Sequence, residues 1–325
     1  MDVVSDAIAA VRVGRASSER LRPQGRWGAW IPGYAGAGFH VVLAGSCWLV
    51  AEGGGPVRLG PGDAVLLPHG TGHALSGEEL THRQARGLPE LDTLLQRTRQ
   101  GGDRRGGAEL RPGGAELLCG KYRLDRALAH PLMRELPALV HVPARSGGHP
   151  ELRAAVDLLG AELAVERPGG RLAVPALIDL LLVYLVRAWT ERPGAGGWGA
   201  ALADPVVAAA LAAVHGEPAR AWSAGALAER AGVSRATLNR RFTALAGRPP
   251  MAYLTWWRMT RAAALLRRGS DPLETVARAV GYASPYALSH AFAREFGTTP
   301  GRYRAEAAMA STHAVKPESV HEDNE

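Results

Sequence analysis

The feature that most constrains the fold of this chain is a short pattern that occurs twice in its carboxy-terminal third. In each copy a glycine follows one apolar helical stretch and a serine opens the next, at Gly232 and Ser234 and again at Gly281 and Ser284. Glycine fits a tight turn between helices, and serine caps a helix N-terminus. The spacing therefore predicts two helix-turn-helix units.

We expect the second helix of each unit to bury one face and expose the other. Leu238 and Phe242 face inward in the first unit, as do Leu288 and Phe292 in the second. Arginine and asparagine on the opposite face suit the guanine and adenine edges of the major groove. The expected outward side chains are Arg235, Ala236, Asn239 and Arg240 in the first unit and Tyr286, Ser289, His290 and Arg294 in the second.

These outward side chains divide into two predicted roles. Phosphate contacts, which position a protein on DNA without reading sequence, are expected from Arg235, Arg241, Arg248 and Arg294. Asp271 and Pro272 predict a capped start for the first helix of the second unit. A pair of helical hairpins that makes no DNA contact is the alternative interpretation.

The distribution of charge favours DNA as the partner. The chain of 325 residues has a net charge of +7, and the segment from Asp204 to Arg304 holds fourteen arginines and six acids, a net charge of +8. Excess base alone is compatible with nucleic acid, an anionic membrane or solubility. Here the excess of basic residues coincides with the two helix-turn-helix units. One long predicted helix from Pro250 to Arg268 joins the units and fixes their separation, so that they address major-groove faces about 34 Å apart.

The stretch from Val276 to Arg304 closely resembles the signature of the AraC family of bacterial transcription regulators, and the resemblance extends over the whole segment of charge +8. Members of the family often carry a larger side chain at the position of Ala236, so readout by the first helix rests on two side chains. Pro300, Tyr303 and Arg304 match the closing motif, whose role is mainly structural. The resemblance places base-reading positions at Ala236, Asn239, Arg240, Tyr286, Ser289 and His290.

The amino-terminal half shows a different pattern, with short β-rich runs separated by glycine and proline turns. Such strands at regular spacing predict a β-barrel or jelly roll. The predicted strands are Phe39–Leu43, Cys47–Ala51, Val57–Leu59, Ala64–Leu67 and Glu116–Arg123.

The segment from Gly62 to His73 resembles the second cupin motif, in which a glycine, Pro-x-Gly and a histidine recur at fixed spacing. Similar cupin-type domains serve as sensors in one branch of AraC-type regulators. In metal-binding cupins the first motif supplies two histidines and a glutamate. This sequence keeps His40 but has Val42 at the second histidine and Ser46 or Cys47 at the glutamate. We therefore do not expect a catalytic iron site, because two imidazoles hold a divalent ion poorly.

Cys47 and Cys119, which both fall in predicted strands, leave three interpretations open. Beside His40 and His73 they would form a Cys/His zinc or copper site, or they would form a thiol pair that oxidises. Free cysteines are also commonly small buried hydrophobic residues. The metal is therefore left unknown, and no cofactor is expected.

Two helices are predicted between the β-rich half and the basic segment, at residues 151–166 and 174–190. The second is apolar nearly all round, so it is either enclosed within one chain or pairs with a second copy. The Gly/Pro-rich stretch from Arg192 to Gly199 predicts a linker and divides the chain near residue 200.

The predicted fold class is α+β: a cupin-like jelly roll, a helical connector, and an all-α domain with two helix-turn-helix units. The expected boundaries are 1–145 for the sensor domain, 146–192 for the connector, 204–304 for the DNA-binding domain and 305–325 for an acidic tail. No secretion signal is predicted, because Asp2, Asp6, Arg12 and Arg15 interrupt the apolar amino terminus.

The expected function is a cytoplasmic, sequence-specific transcription regulator whose barrel senses a small molecule or an oxidative or metal signal. Promoter DNA, a second copy of the chain, an unknown effector and RNA polymerase are the expected partners, without a membrane. No nucleotide-binding glycine loop, hydrolase elbow or metalloprotease motif is visible. The alternatives are a cupin metalloenzyme with a DNA-binding tail and a DNA-repair regulator with a reactive cysteine.

Overall fold

The computed structural model describes residues 2–93, 114–124, 130–144, 149–165, 167–192 and 196–313. The chain divides into two compact units. The first contains residues 7–200, and the second contains residues 201–325 together with the amino-terminal residues 1–6.

The first unit is built on two antiparallel sheets, as expected of a jelly roll. One sheet has the strand order β1-β8-β3-β6-β9 and the other β2-β7-β4-β5. Every strand predicted from the sequence is confirmed, with ends that shift by two residues at most. The strands are β1 Arg12–Leu21, β2 Gly28–Ile31, β3 Ala37–Gly45, β4 Cys47–Ala51, β5 Pro56–Leu59, β6 Ala64–Leu67, β7 His73–Ser76, β8 Ala115–Leu124 and β9 Val140–Val142.

The inward faces of both sheets form one apolar core. Leu49 and Leu75 of one sheet and Val65 and Leu117 of the other are fully buried. Val42, at the position of the missing cupin histidine, is part of this core. Full burial of such a side chain contributes about 1.5–3 kcal/mol, so the core holds the strands that carry the cavity described below.

Helices complete this part of the chain. They are α1 Val3–Val11, α2 His82–Arg86, α3 Pro131–Glu135, α4 Pro150–Ala164, α5 Gly170–Thr190 and α6 Gly197–Ala203. The helices predicted at 151–166 and 174–190 are confirmed as α4 and α5, which pack against each other. Within the described residues, α5 is a helix long and apolar enough to span a membrane, but Leu181, Leu185 and Val186 of α5 are buried inside the protein.

The predicted linker from Arg192 to Gly199 is only partly correct. Residues 193–195 lie outside the described residues, but Trp198 is buried in the first unit. Its backbone N–H donates to Glu135 Oε2 at 2.8 Å, and its ring meets the edge of His130 at 4.7 Å. Glycine-rich composition suggested a linker, whereas burial of the indole ring holds this segment to α3.

The second unit is all-α. The long helix predicted at Pro250–Arg268 is confirmed, but Asp271 does not cap the next helix, which begins at Leu273 with Pro272 at the N-cap position. Residues 305–313 of the predicted acidic tail continue the last helix, and 314–325 lie outside the described residues. The helices are α7 Pro205–Gly216, α8 Ala224–Arg230, α9 Arg235–Ala246, α10 Pro250–Arg268, α11 Leu273–Ala279, α12 Pro285–Phe296 and α13 Pro300–His313.

Candidate nucleic-acid interface and barrel cavity

The first predicted helix-turn-helix unit consists of α8, a turn and α9. Gly232 in the turn has φ +70°, a left-handed conformation that side chains disfavour. The Ser234 hydroxyl accepts from Thr237 N at 3.2 Å and caps α9, as the sequence predicts. Leu238 and Phe242 are buried beneath the helix. These contacts fix which face of α9 remains in solvent.

That solvent face carries the side chains that the sequence assigns to DNA. Arg235, Ala236, Asn239 and Arg240 are all exposed along one side of α9. The neighbouring Arg241 lies 3.5 Å from Asp204, the residue that caps α7, so part of its charge is neutralised inside the unit. The exposed guanidinium and amide groups present hydrogen-bond donors and acceptors of the kind that read base edges.

The second unit consists of α11, a turn and α12. Gly281 has φ +78°, and a Cβ at this position would lie 2.5 Å from the Ala219 carbonyl oxygen. Only glycine therefore fits this turn without a shift of the backbone. Ser284 caps α12 by accepting from Ala287 N at 3.2 Å.

The face of α12 is more varied than that of α9. Tyr286 is 82% exposed, and His290 and Arg294 are also exposed. Ser289 is half-buried, and its hydroxyl donates to the Pro285 carbonyl of its own helix at 2.8 Å. While it makes that bond, the Ser289 hydroxyl can accept a hydrogen bond from a base but cannot donate one, and Tyr286 and His290 are the more exposed groups of this helix.

The long helix α10 packs against the buried side of α9. Tyr253 is fully buried and packs its ring against Phe242 at 5.5 Å. Its hydroxyl lies 2.7 Å from Nε2 of the buried His215, and Asp6 Oδ2 lies 3.0 Å from Nδ1 of that histidine. Asp6, His215 and Tyr253 thus form one hydrogen-bonded network in the second unit, which the sequence reasoning missed.

The barrel of the first unit contains a cavity of about 160 Å³. His40, His73 and Cys119 lie at its inner end and are buried, whereas Lys121 at its outer end is exposed. The strands explain the grouping, because His40 on β3 is directly opposite Cys119 on β8. The described residues that line the cavity are Ser17, Ser18, Glu19, Ile31, Tyr34, Gly38, His40, His73, Leu91, Asp92, Cys119, Gly120 and Lys121.

The two histidines form a direct pair, with Nε2 of His40 and Nε2 of His73 2.7 Å apart. His73 Nδ1 lies 2.8 Å from the Thr71 carbonyl oxygen. Burial lowers the pKa of His73 from 6.5 to about 4 and holds the pKa of His40 well below its ordinary value. Both imidazoles are therefore neutral at neutral pH.

The two cysteines differ in whether they line the cavity that contains the histidine pair. Both belong to the buried apolar core, but Cys119 also lines the cavity, whereas Cys47 is not among the described lining residues. Both are free thiols. Burial raises the pKa of Cys47 to about 12 and the pKa of Cys119 well above its ordinary value, which disfavours the reactive thiolate.

A cupin metal centre does not fit these residues. No group of three or more His, Cys, Asp and Glu side chains suited to a metal ion occurs in the described part of the chain. The two imidazoles approach at hydrogen-bond distance, and Val42 takes the place of a third ligand. A stable divalent site normally needs further donors, so the described residues do not suit a resident metal ion.

Comparison with known proteins finds two family models that match different parts of the chain. A cupin family model matches residues 2–191, and a helix-turn-helix domain model matches residues 227–306. A putative AraC-like transcription regulator of Streptomyces lividans is 34% identical over 95% of this chain and 100% of its own length. The chain belongs to the AraC-like transcription regulators. This AraC-like chain is therefore a DNA-binding transcription regulator with a cupin amino-terminal region.

A second relative and a solved structure also match this chain. A second putative AraC-like transcription regulator, from Streptomyces antibioticus, is 34% identical over 94% of this chain and 98% of its own length. The crystal structure of the DNA-binding domain of AdpA in complex with a target DNA has 33% sequence identity. It covers 35% of this chain and 99% of that chain, with a TM-score of 0.32.

Proposed function

We propose that this AraC-family regulator reads promoter DNA through α9 and α12 and that its barrel cavity senses a small molecule. The observation that carries the first part is the pair of exposed helix faces, each held by a glycine turn and a serine cap. Asn239 and Arg240 read bases from α9, Tyr286 and His290 read them from α12, and Arg235 and Arg294 contact phosphates. Ala236 and Ser289 lie on the same faces and add less to readout.

The test is a comparison of two exposed arginines of α9. An operator is first selected from a pool of random duplexes with the intact protein. We expect Arg240→Ala to lower operator affinity about 10- to 100-fold with little effect on random duplex, because a lost base contact costs about 1–3 kcal/mol. Arg235→Ala serves as the matched control and is expected to weaken binding to both duplexes equally. Equal losses on both duplexes for both variants would contradict the assignment.

The sensing role is supported by the cavity and its histidine pair. Buried, neutral imidazoles that meet at the inner end of an open cavity give a small molecule fixed hydrogen-bonding groups. An oxidative signal through Cys47 and Cys119 is less well supported, because burial raises the pKa of both thiols. A metal signal lacks a third ligand among the described residues.

In this proposal the regulator acts as a homodimer in the cytoplasm. Its cupin region has no catalytic role. The support for the dimer is apolar surface on the two connector helices, where Leu172 is 72% exposed, Leu158 56% and Leu180 37%. Covering such side chains with a second copy removes apolar surface from water. RNA polymerase is the further partner proposed at the promoter.

Sedimentation of the intact protein tests the dimer. Leu172→Glu is expected to shift the chain toward the monomer, whereas Arg171→Glu, on the adjacent exposed position of α5, keeps the dimer. A sedimentation coefficient that is the same for both variants and the native chain would contradict dimerisation through this face.

The proposed function couples the binding of ligand in the barrel to the binding of operator DNA on α9 and α12. This coupling is reciprocal, so each raises or lowers the affinity of the other by the same factor.

A further inference from the structure

The hydrogen bonds of the histidine pair fix which ring nitrogens carry protons. The Thr71 carbonyl oxygen can only accept, so His73 Nδ1 carries the proton and donates to it. A neutral imidazole has one N–H, which makes His73 Nε2 an acceptor. His40 Nε2 must then carry a proton and donate to it. His40 Nδ1 is therefore left as an unprotonated acceptor.

That acceptor has no partner in the parts of the chain that the structure describes. His40 is 4% exposed, lines the cavity, and its Nδ1 is buried without a hydrogen bond. The thiol of Cys119, on the neighbouring strand, does not donate to it. Buried acceptors in native proteins are normally satisfied, so a group with a donor is the missing element of this chain of bonds.

The size and lining of the cavity restrict what brings that donor. A cavity of about 160 Å³ is close to the roughly 150 Å³ that accommodates benzene in an engineered protein. Ile31 and Leu91 give it apolar walls. Among the described residues that line it, the charged groups are one cation, Lys121, and two acids, Glu19 and Asp92, and the Lys121 ammonium already lies over the Tyr34 ring at 5.0 Å. The described part of the lining therefore concentrates no charge of one sign for an ionic ligand.

We propose that the inner end of the cavity binds a neutral, ring-sized molecule with one hydroxyl group, of the phenol class, whose hydroxyl donates to His40 Nδ1. The ring lies between Ile31 and Leu91, and the bond completes a chain that runs from the ligand through His40 and His73 to the Thr71 carbonyl. This ligand class rests on the proposed function of the barrel as the sensor.

The experiment is calorimetric titration of the full chain with four probes in the presence of EDTA. Phenol is compared with toluene, in which a methyl group replaces the hydroxyl, and with benzoate and benzylammonium, which carry opposite charges. We expect phenol to bind at least 10-fold more tightly than each of the others. Toluene binding as tightly as phenol, tighter binding of either ion, or no binding of phenol overturns the proposal.

A spectroscopic readout and a matched pair of variants locate the bond. Phenol, but not toluene, is expected to shift the His40 Nδ1 resonance in long-range ¹H–¹⁵N spectra. His40→Gln is expected to remove the preference for phenol over toluene, whereas His82→Gln, an exposed site at the start of α2, keeps it. An unchanged His40 resonance on saturation with phenol overturns the proposal even if the variant fails to fold.

DNA binding, measured on the same samples, separates this proposal from the sensing role. If phenol binds through His40 but leaves DNA affinity unchanged, the sensing role fails and the ligand class stands. If another effector changes DNA affinity while phenol shows no preference over toluene, the ligand class fails and the sensing role stands.

Discussion

Acid is predicted to destabilise the barrel because the histidine pair is buried in its neutral form. Burial lowers the pKa of His73 from 6.5 in the unfolded chain to about 4 in the folded one. Between these values the unfolded chain binds a proton that the folded chain does not, so the stability present above pH 6.5 falls as the pH decreases. His40 acts in the same direction, since burial also lowers its pKa.

The magnitude follows from the two pKa values of His73. The loss amounts to about 2 kcal/mol at pH 5 and approaches roughly 3 kcal/mol below pH 4. This is a large part of the 5–15 kcal/mol that stabilises a typical domain. Lys121 near the pair also lowers the pKa of His73, whereas the bond to the Thr71 carbonyl raises it.

Native-state hydrogen exchange of the full chain, read by mass spectrometry, measures this loss in the barrel alone. Peptides from β3 and β8 report the first unit, with rates corrected for intrinsic exchange at each pH. His73→Gln is the control, because glutamine keeps hydrogen-bonding groups but does not titrate. We expect the free energy of opening to fall between pH 7 and pH 5 in the native chain and to fall less in the variant. Equal pH dependence in both would refute the reasoning.

Two further predictions concern the turns and the thiols. Gly281→Ala should destabilise the second unit by roughly 2–4 kcal/mol and Gly232→Ala by about 1 kcal/mol in urea unfolding, because both have positive φ but only the Cβ at Gly281 meets Ala219. Equal losses would contradict the steric argument. Cys47 and Cys119 should react with iodoacetamide at least ~100-fold more slowly in the native protein than in urea, because burial raises the pKa of both. Comparable rates would show that a thiol is accessible.

The sequence predicted those parts of the fold that depend on local physical rules. The strand from Cys47 to Ala51 and the helix from Pro250 to Arg268 have the predicted bounds, because turn residues and apolar periodicity are local signals. The burial of Trp198 was not predicted. Glycines on both sides of it indicated a linker, and only the packing against α3 decides that the indole is inside.

The barrel site likewise combines features that local sequence signals predict with features that depend on packing. Sequence spacing placed His40, His73 and Cys119 in the barrel, and the register of β3 and β8 brings the first and third face to face. The direct bond between the histidines depends on how the two sheets pack, so no spacing rule could give it. Cys47 and Cys119 both lie in predicted strands and in the buried core, yet of the two only Cys119 is opposite His40 and among the described residues that line the cavity.

The network of Asp6, His215 and Tyr253 shows where sequence reasoning ends for the DNA-binding unit. Its outer members are separated from His215 by 209 and 38 residues, and no local spacing rule joins them. The imidazole nevertheless holds together three segments of the unit, because its two ring nitrogens bond the Asp6 carboxylate and the Tyr253 hydroxyl. Tyr253 packs on Phe242, the residue that anchors α9. The position of the proposed reading helix thus depends on a carboxylate at the opposite end of the chain, a dependence that only the folded structure reveals.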